Sequence, residues 1–249
     1  ISLSADNEEH KYLVFVTKNG VIKRTELSEF DNIRKSGKIA ITLKEDDELI
    51  YVGVTTGNDE IAIGANNGRM VRFNEDEVRV MGRSASGVKG IELEDSKVIG
   101  AEVIKPNQLI LIVTENGYGK KSEIEEYRLT HRGSKGVKAL NITDKNGMMV
   151  ALKCVNPDDD YDLMIMTDSG IIIKLPLEQV STLKRATQGV RLINLKEDQK
   201  VSTVAVVEKE ETEESTESTG EEAESVPVEK DISSEEKTQN TENDEELLK

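Results

Sequence analysis

The chain has 249 residues, with 33 Lys and Arg against 49 Asp and Glu, 36% hydrophobic residues, 3% aromatic residues, one Cys and no Trp. That is too little apolar material for one core running through the whole length, and no stretch of about 18 apolar residues exists to cross a membrane as a helix. The lone Cys154 excludes an internal disulfide and a cysteine-built zinc site, so a reducing, cytoplasmic location is expected.

In chain order, the first strand candidates are residues 13–17, 21–27, 39–43 and 49–55, and the same quartet returns at 109–114, 118–124, 137–142 and 148–155. These runs are rich in β-branched and apolar residues and are separated by turn residues. A turn glycine follows the first run of each unit, at Gly20, Gly68, Gly117 and Gly170, and three of the four are preceded by Asn19, Asn67 and Asn116. Asn-Gly supplies the positive φ of a tight hairpin. A second glycine keeps the same beat at Gly37, Gly87, Gly136 and Gly189, so two markers recur in phase about every fifty residues. Four antiparallel strands at that period predict an all-β, propeller-like fold of about four blades, none able to bury its faces without a neighbour. The units are placed at about 11–55, 60–104, 109–155 and 163–207, giving a folded body over 1–207. The absence of Trp excludes the Trp-Asp repeat class of propellers.

Charge divides the chain differently. Residues 208–249 carry 17 acidic and 4 basic groups with no aromatic residue, which predicts a disordered acidic tail. Such a tail either solubilises the chain or competes for the body's basic surface. The body itself is nearly neutral, with 29 basic and 32 acidic groups. Within it, the stretches between the two glycines, 18–39, 68–90, 117–139 and 170–191, hold 21 basic and 10 acidic residues. Four places after the first glycine stand Arg24, Arg72, Lys121 and Lys174. Four places before the second stand Arg83, Arg132 and Arg185, with Arg34 one step out of register, and Lys38, Lys89, Lys138 and Arg191 follow it. Lys23, Lys35, Arg69, Lys120, Lys135 and Lys184 complete the candidate set. Presented once per blade, these cations are expected to form a curved positive rim that binds double-stranded DNA through phosphates, tolerant of sequence and sensitive to salt.

The runs Asn19-Gly20-Val21-Ile22-Lys23-Arg24-Thr25, Val78-Arg79-Val80-Met81-Gly82-Arg83 leading to Gly87-Val88-Lys89-Gly90-Ile91, Thr114-Glu115-Asn116-Gly117-Tyr118-Gly119-Lys120-Lys121 and Thr187-Gln188-Gly189-Val190-Arg191 resemble the C-terminal domain of the bacterial DNA gyrase A subunit. The resemblance covers residues 11–207. It implies a six-bladed β-pinwheel that exchanges strands between blades and wraps DNA around a basic outer edge, of which blades three to six and the acidic tail are present here. It also implies an ATP-dependent type II topoisomerase that introduces negative supercoils. In that enzyme, ATP and Mg are used with the gyrase B subunit, and two A subunits join two B subunits in the bacterial cytoplasm. The family's Gln-Arg-Arg-Gly-Gly-Lys-Gly loop is absent, and His131-Arg132-Gly133-Ser134-Lys135-Gly136 is only a distant echo. None of Tyr12, Tyr51, Tyr118, Tyr127 or Tyr161 lies in the context of a DNA-cleaving tyrosine, so this stretch is not expected to be catalytic alone and holds no cofactor of its own.

Other motifs carry less. Asp158, Asp160 and Asp162 alternate like a calcium loop, but Leu163 and Ser169 stand where its Gly and Glu belong. Gly117-Tyr118-Gly119-Lys120-Lys121 lacks the spacing of a phosphate loop, and His10 and His131 have no nucleophile in a recognisable motif. The alternative readings are the equivalent domain of the topoisomerase IV A subunit, and a propeller scaffold that binds acidic proteins.

Overall fold

A computed structural model describes residues 11–31, 35–196 and 198–209. The first unit supplies β1 (Tyr12–Thr17), β2 (Val21–Glu26) and β3 (Leu49–Thr55). The second supplies β4 (Glu60–Ala65), β5 (Arg69–Asn74), β6 (Val88–Lys89) and β7 (Val98–Ile104). The third supplies β8 (Leu109–Thr114), β9 (Tyr118–Glu123), β10 (Val137–Lys138) and β11 (Met149–Val155). The last supplies β12 (Tyr161–Thr167), β13 (Ile172–Pro176), β14 (Val190–Arg191) and β15 (Val201–Glu208). Every pairing between named strands is antiparallel, and the Asn-Gly turns make the hairpins β1–β2, β4–β5 and β8–β9. Most of the expected acidic tail lies outside the described residues, although Glu208 still pairs with Tyr161 at the end of β15. No helix among the described residues is long and apolar enough to cross a membrane.

The sheets are ordered β3-β1-β2-β6, β10-β5-β4-β7, β11-β8-β9-β14 and β13-β12-β15. A blade is therefore not one sequence unit. Its outermost strand comes from the next unit: β6 joins β2, β10 joins β5 and β14 joins β9. The sheet of β12 is left with three strands and an unpaired edge at β13. At the opposite margin the inner strands pack in series, β3 on β7, β7 on β11 and β11 on β15. Ile50, Ile99, Val150 and Val204 from these strands line a common cavity of about 180 Å³ at the hub.

The core follows from that stacking. It consists of three apolar layers, each between neighbouring blades: one includes Val14, Ile22, Ile63, Phe73 and Ile91, the next Met70, Ile110, Ile124, Tyr127 and Leu140, and the third Leu111, Leu163, Ile165, Leu177 and Ile193. Both faces of an inner blade are covered, so all six residues of β8 are buried rather than alternating.

The two glycine series are in phase because the first glycine's carbonyl is bonded by the segment that follows the next unit's second glycine. The Gly20 carbonyl accepts the N–H groups of Gly90 and Ile91, that of Gly68 accepts Ala139 and Leu140, and that of Gly117 accepts Leu192 and Ile193. Each set lies three and four residues beyond the next unit's second glycine. At Gly136, φ is +69° and a Cβ would lie 2.2 Å from the Met70 oxygen, so the donated strand can approach only as glycine.

One strand expectation fails here. Residues 39–43 are not extended into a ladder, and Ile39 is 70% exposed. The third segment of a unit belongs to the preceding blade, and among the described residues the first unit has no preceding blade to receive it. Gly37 keeps a positive φ, +77°, with nothing within 4 Å of its Cβ position. In unit three the strand expected over 137–142 shortens to the two residues of β10, and its counterparts β6 and β14 are two residues long as well.

Candidate nucleic-acid interface

Of the four cations that sequence placed in strictest phase, Arg24, Arg72 and Lys121 are turned toward the next blade and not toward solvent. Arg24 is 8% exposed, and its Nη1 lies 3.4 Å from Oε2 of the fully buried Glu75. Arg72 donates through Nη1 to the Ile124 and Tyr127 carbonyls at 2.8 and 3.0 Å and pairs with Glu60 at 2.5 Å. Lys121, 8% exposed, donates to the Leu177 carbonyl at 2.9 Å, and burial lowers its pKa. Glu75, Ile124 and Leu177 are each the first residue of a short 3-10 turn in the following unit. The residue four places after the first glycine is thus a latch between blades. Lys174, in the last unit, has no such turn to reach among the described residues and pairs with Asp162 at 2.9 Å, leaving half of its side chain exposed.

A second series latches the donated strands together. Arg83 Nη1 donates to the Ile39 carbonyl at 3.2 Å, Arg132 Nη1 to Lys89 at 3.0 Å and Arg185 Nη1 to Lys138 at 2.8 Å. In each case the acceptor lies two residues after the previous unit's second glycine. These arginines are half-buried and spend one face of the guanidinium on backbone. Lys23 and Lys120 are fully buried. Burial lowers both lysines to about 8, with Arg83 adding to the effect at Lys23, and Glu126 opposing it at Lys120.

The remaining candidates are the solvent-facing ones. Lys89, Lys138 and Arg191 occupy the outermost strands β6, β10 and β14 and are exposed. Lys35, Arg69, Lys135 and Lys184 are exposed close by in sequence or register, Lys38 is half-buried, and Arg34 lies outside the described residues. Lys138 sits directly across the ladder from Arg69, and neither forms an ion pair among the described residues. Like charges opposite one another are unfavourable in a free sheet. Lys89 with Glu92 at 2.6 Å, Lys184 with Glu126 at 2.5 Å, and Lys135 with Glu94 are surface pairs of small strength that a phosphate can displace.

Sequence reasoning omitted two residues that belong with these. Arg79 and Arg128, each eight places before a second glycine, are exposed and form no ion pair among the described residues. The signal was weak because Glu29 and Ser181 hold that place in the other units. Arg128 lines a concavity of about 600 Å³ with His131, Ser134 and Lys135. No group of three His, Cys, Asp or Glu side chains among the described residues could hold a metal ion, and Asp162 is turned to Lys174 instead of toward Asp158 and Asp160.

Residues 11–56, 59–105, 108–156 and 161–208 match the family model described as the DNA gyrase C-terminal domain, a β-propeller. The DNA gyrase A subunit of Halalkalibacterium halodurans is 55% identical over 94% of this chain and 27% of its own length. That of Ureaplasma parvum is 46% identical over 82% of this chain and 24% of its own. The chain therefore spans about a quarter of the curated relatives it matches. Among solved structures, a C-terminal domain of DNA topoisomerase IV superposes with a TM-score of 0.75 at 28% identity, over 82% of this chain and 64% of that one. A DNA gyrase A C-terminal domain superposes at 0.70 and 24% identity, over 82% and 68%, and supports the fold.

Proposed function

Because this chain belongs to the DNA gyrase C-terminal domain family, we propose that it binds duplex DNA along the margin formed by β6, β10 and β14. The observation that carries this reading is the exposed base at one equivalent position of each donated strand, Lys89, Lys138 and Arg191, with Arg69 beside Lys138. The acidic clusters, such as those at 45–48 and 158–160, lie in other connections. Contacts to phosphate position a duplex without reading its bases, so binding is tolerant of sequence. Bending 20–30 base pairs by 40–90° costs about 1–6 kcal/mol. That cost requires contacts spread over several blades.

In the complete protein this domain would serve a gyrase A subunit, wrapping the DNA that a cytoplasmic bacterial enzyme passes when it introduces negative supercoils. ATP, with Mg, would be hydrolysed by the gyrase B subunit, and two subunits of each kind would assemble. The topoisomerase IV reading rests on the superposition, but the higher identity with gyrase A relatives favours gyrase. The test is a gel-shift titration of Lys89→Glu/Lys138→Glu/Arg191→Glu against duplexes of unrelated sequence. Binding to all of them weakens together; unchanged binding would remove the margin as the DNA site.

A further inference from the structure

Two lysines are buried where the fold does not need a lysine. The position three residues after the first glycine is Lys23, Val71, Lys120 and Ile173 in the four units. Val71 is as fully buried as the two lysines, so an apolar side chain satisfies the packing there. An ammonium taken out of water is costly unless hydrogen bonds replace its hydration. Here they do. Lys120 Nζ donates to the Lys184 and Arg185 carbonyls at 2.7 and 2.6 Å. Lys23 Nζ donates to the Ala40 carbonyl at 2.5 Å and to that of Arg83.

Those carbonyls belong to the loops that carry rim cations. From Lys120 a continuous line of bonds runs outward, from its amine to the Arg185 carbonyl and from the Arg185 guanidinium to the Lys138 carbonyl on the outermost strand β10. Lys23 stands in the same relation to Arg83, whose guanidinium reaches the Ile39 carbonyl. In unit three, where no lysine is available from the Val71 position, the loop is held from outside instead. There Glu77 accepts the Arg132 N–H with its carboxylate and the Arg132 Nε–H with its carbonyl.

We infer that Lys23 and Lys120 are positioning residues for DNA binding: without touching DNA, each fixes the backbone of a rim loop so that its cations meet phosphates at a set spacing. The inference rests on the DNA reading above. It also gives a reason for the alternation. Alternate joints are pinned from within by lysine, and the joint between them is pinned from the surface.

The test is Lys120→Val, which copies the residue the second unit already uses. DNA affinity is measured against salt by fluorescence anisotropy on the whole 249-residue chain, beside Lys184→Ala/Lys138→Ala as a rim control. Positioning predicts that the log–log slope of Lys120→Val becomes shallower by about 2 and that affinity falls about tenfold, because each phosphate contact contributes roughly 0.9 to the slope. A buried amine neutralises no phosphate itself, so a merely structural role would lower the melting temperature and leave the slope of the folded protein parallel to the parent. That parallel slope, with a shallower rim control, would overturn the inference; an unchanged rim control would overturn the DNA reading instead. Should Lys120→Val not fold, Lys23→Val carries the same comparison at the first joint.

Discussion

Replacing Glu75 by Leu would install the residue type found at that place in other units, Leu27, Ile124 and Leu177, yet a large loss of stability is expected. The Glu75 carboxylate is fully buried and accepts Thr55 Oγ1 at 2.6 Å, the Gly57 N–H at 2.6 Å, the Asp59 N–H at 2.9 Å and Arg24 Nη1 at 3.4 Å. Leucine orphans two backbone donors at about 1–3 kcal/mol each. It also leaves the Arg24 guanidinium buried with only the Tyr12 ring, 4.7 Å away, as partner. An unpaired buried charge costs about 3–5 kcal/mol. Burying the new side chain returns about 1.5–3 kcal/mol. The net is a loss of about 6 kcal/mol, a large part of the ~5–15 kcal/mol that holds an ordinary domain.

The assay is urea unfolding followed by far-ultraviolet circular dichroism, since the chain has no Trp. Arg24→Met/Glu75→Leu should recover about 3 kcal/mol of the single mutant's loss, because no charge is then stranded. A Glu75→Leu protein within about 1 kcal/mol of the parent, or a double mutant no better than the single, would mean that the buried carboxylate does not hold Arg24 and the turn.

Two further outcomes follow from the joints. Gly136→Ala is expected to cost clearly more than the ~1–2 kcal/mol of a left-handed alanine, because its Cβ would meet the Met70 oxygen at 2.2 Å. Gly37→Ala, with open space around it, should cost only the conformational part; equal losses in thermal unfolding would contradict the strand-donation geometry. The lysines give a pH signature. Lys23 and Lys120 sit at about 8 in the folded chain against 10.5 when exposed, so between those values the unfolded chain binds more protons and stability rises with pH. The slope is up to about 1 kcal/mol per pH unit for each lysine. Lys23→Val/Lys120→Val should lose that rise between about pH 8 and 10, and parallel curves would refute the burial argument.

The repeat was legible because its markers are local necessities. A glycine is demanded by positive φ at both turns, and β-branched runs lie between them. The strand exchange could not be read from spacing, since β6, β10 and β14 are two residues long and their partners are set by contacts across units. The cation series shows a subtler limit. Arg24, Arg72 and Lys121 recur in phase, and periodicity alone does not distinguish a charge offered to solvent from one spent on the next blade. What separates these three from the exposed phased series is the position of the strand in its sheet. Arg24, Arg72 and Lys121 lie in strands covered by a donated neighbour, whereas Lys89, Lys138 and Arg191 are on the covering strand itself. Glu75 gave no sequence signal, because one acidic residue in an otherwise apolar position reads as an exposed turn until Arg24 is seen beneath it.

On this geometry phosphates are met by the outermost strands and not by the latches. That is tested most directly by the salt dependence of DNA binding for the parent, for Lys89→Ala/Lys138→Ala/Arg191→Ala and for the latch variant Lys121→Met. With about 8 exposed cations engaged, the parent slope should lie near −7, the rim variant should be shallower by about 3, and the latch variant should run parallel to the parent. A latch variant that flattens the slope while the rim variant leaves it unchanged would put the phosphates at the latches instead.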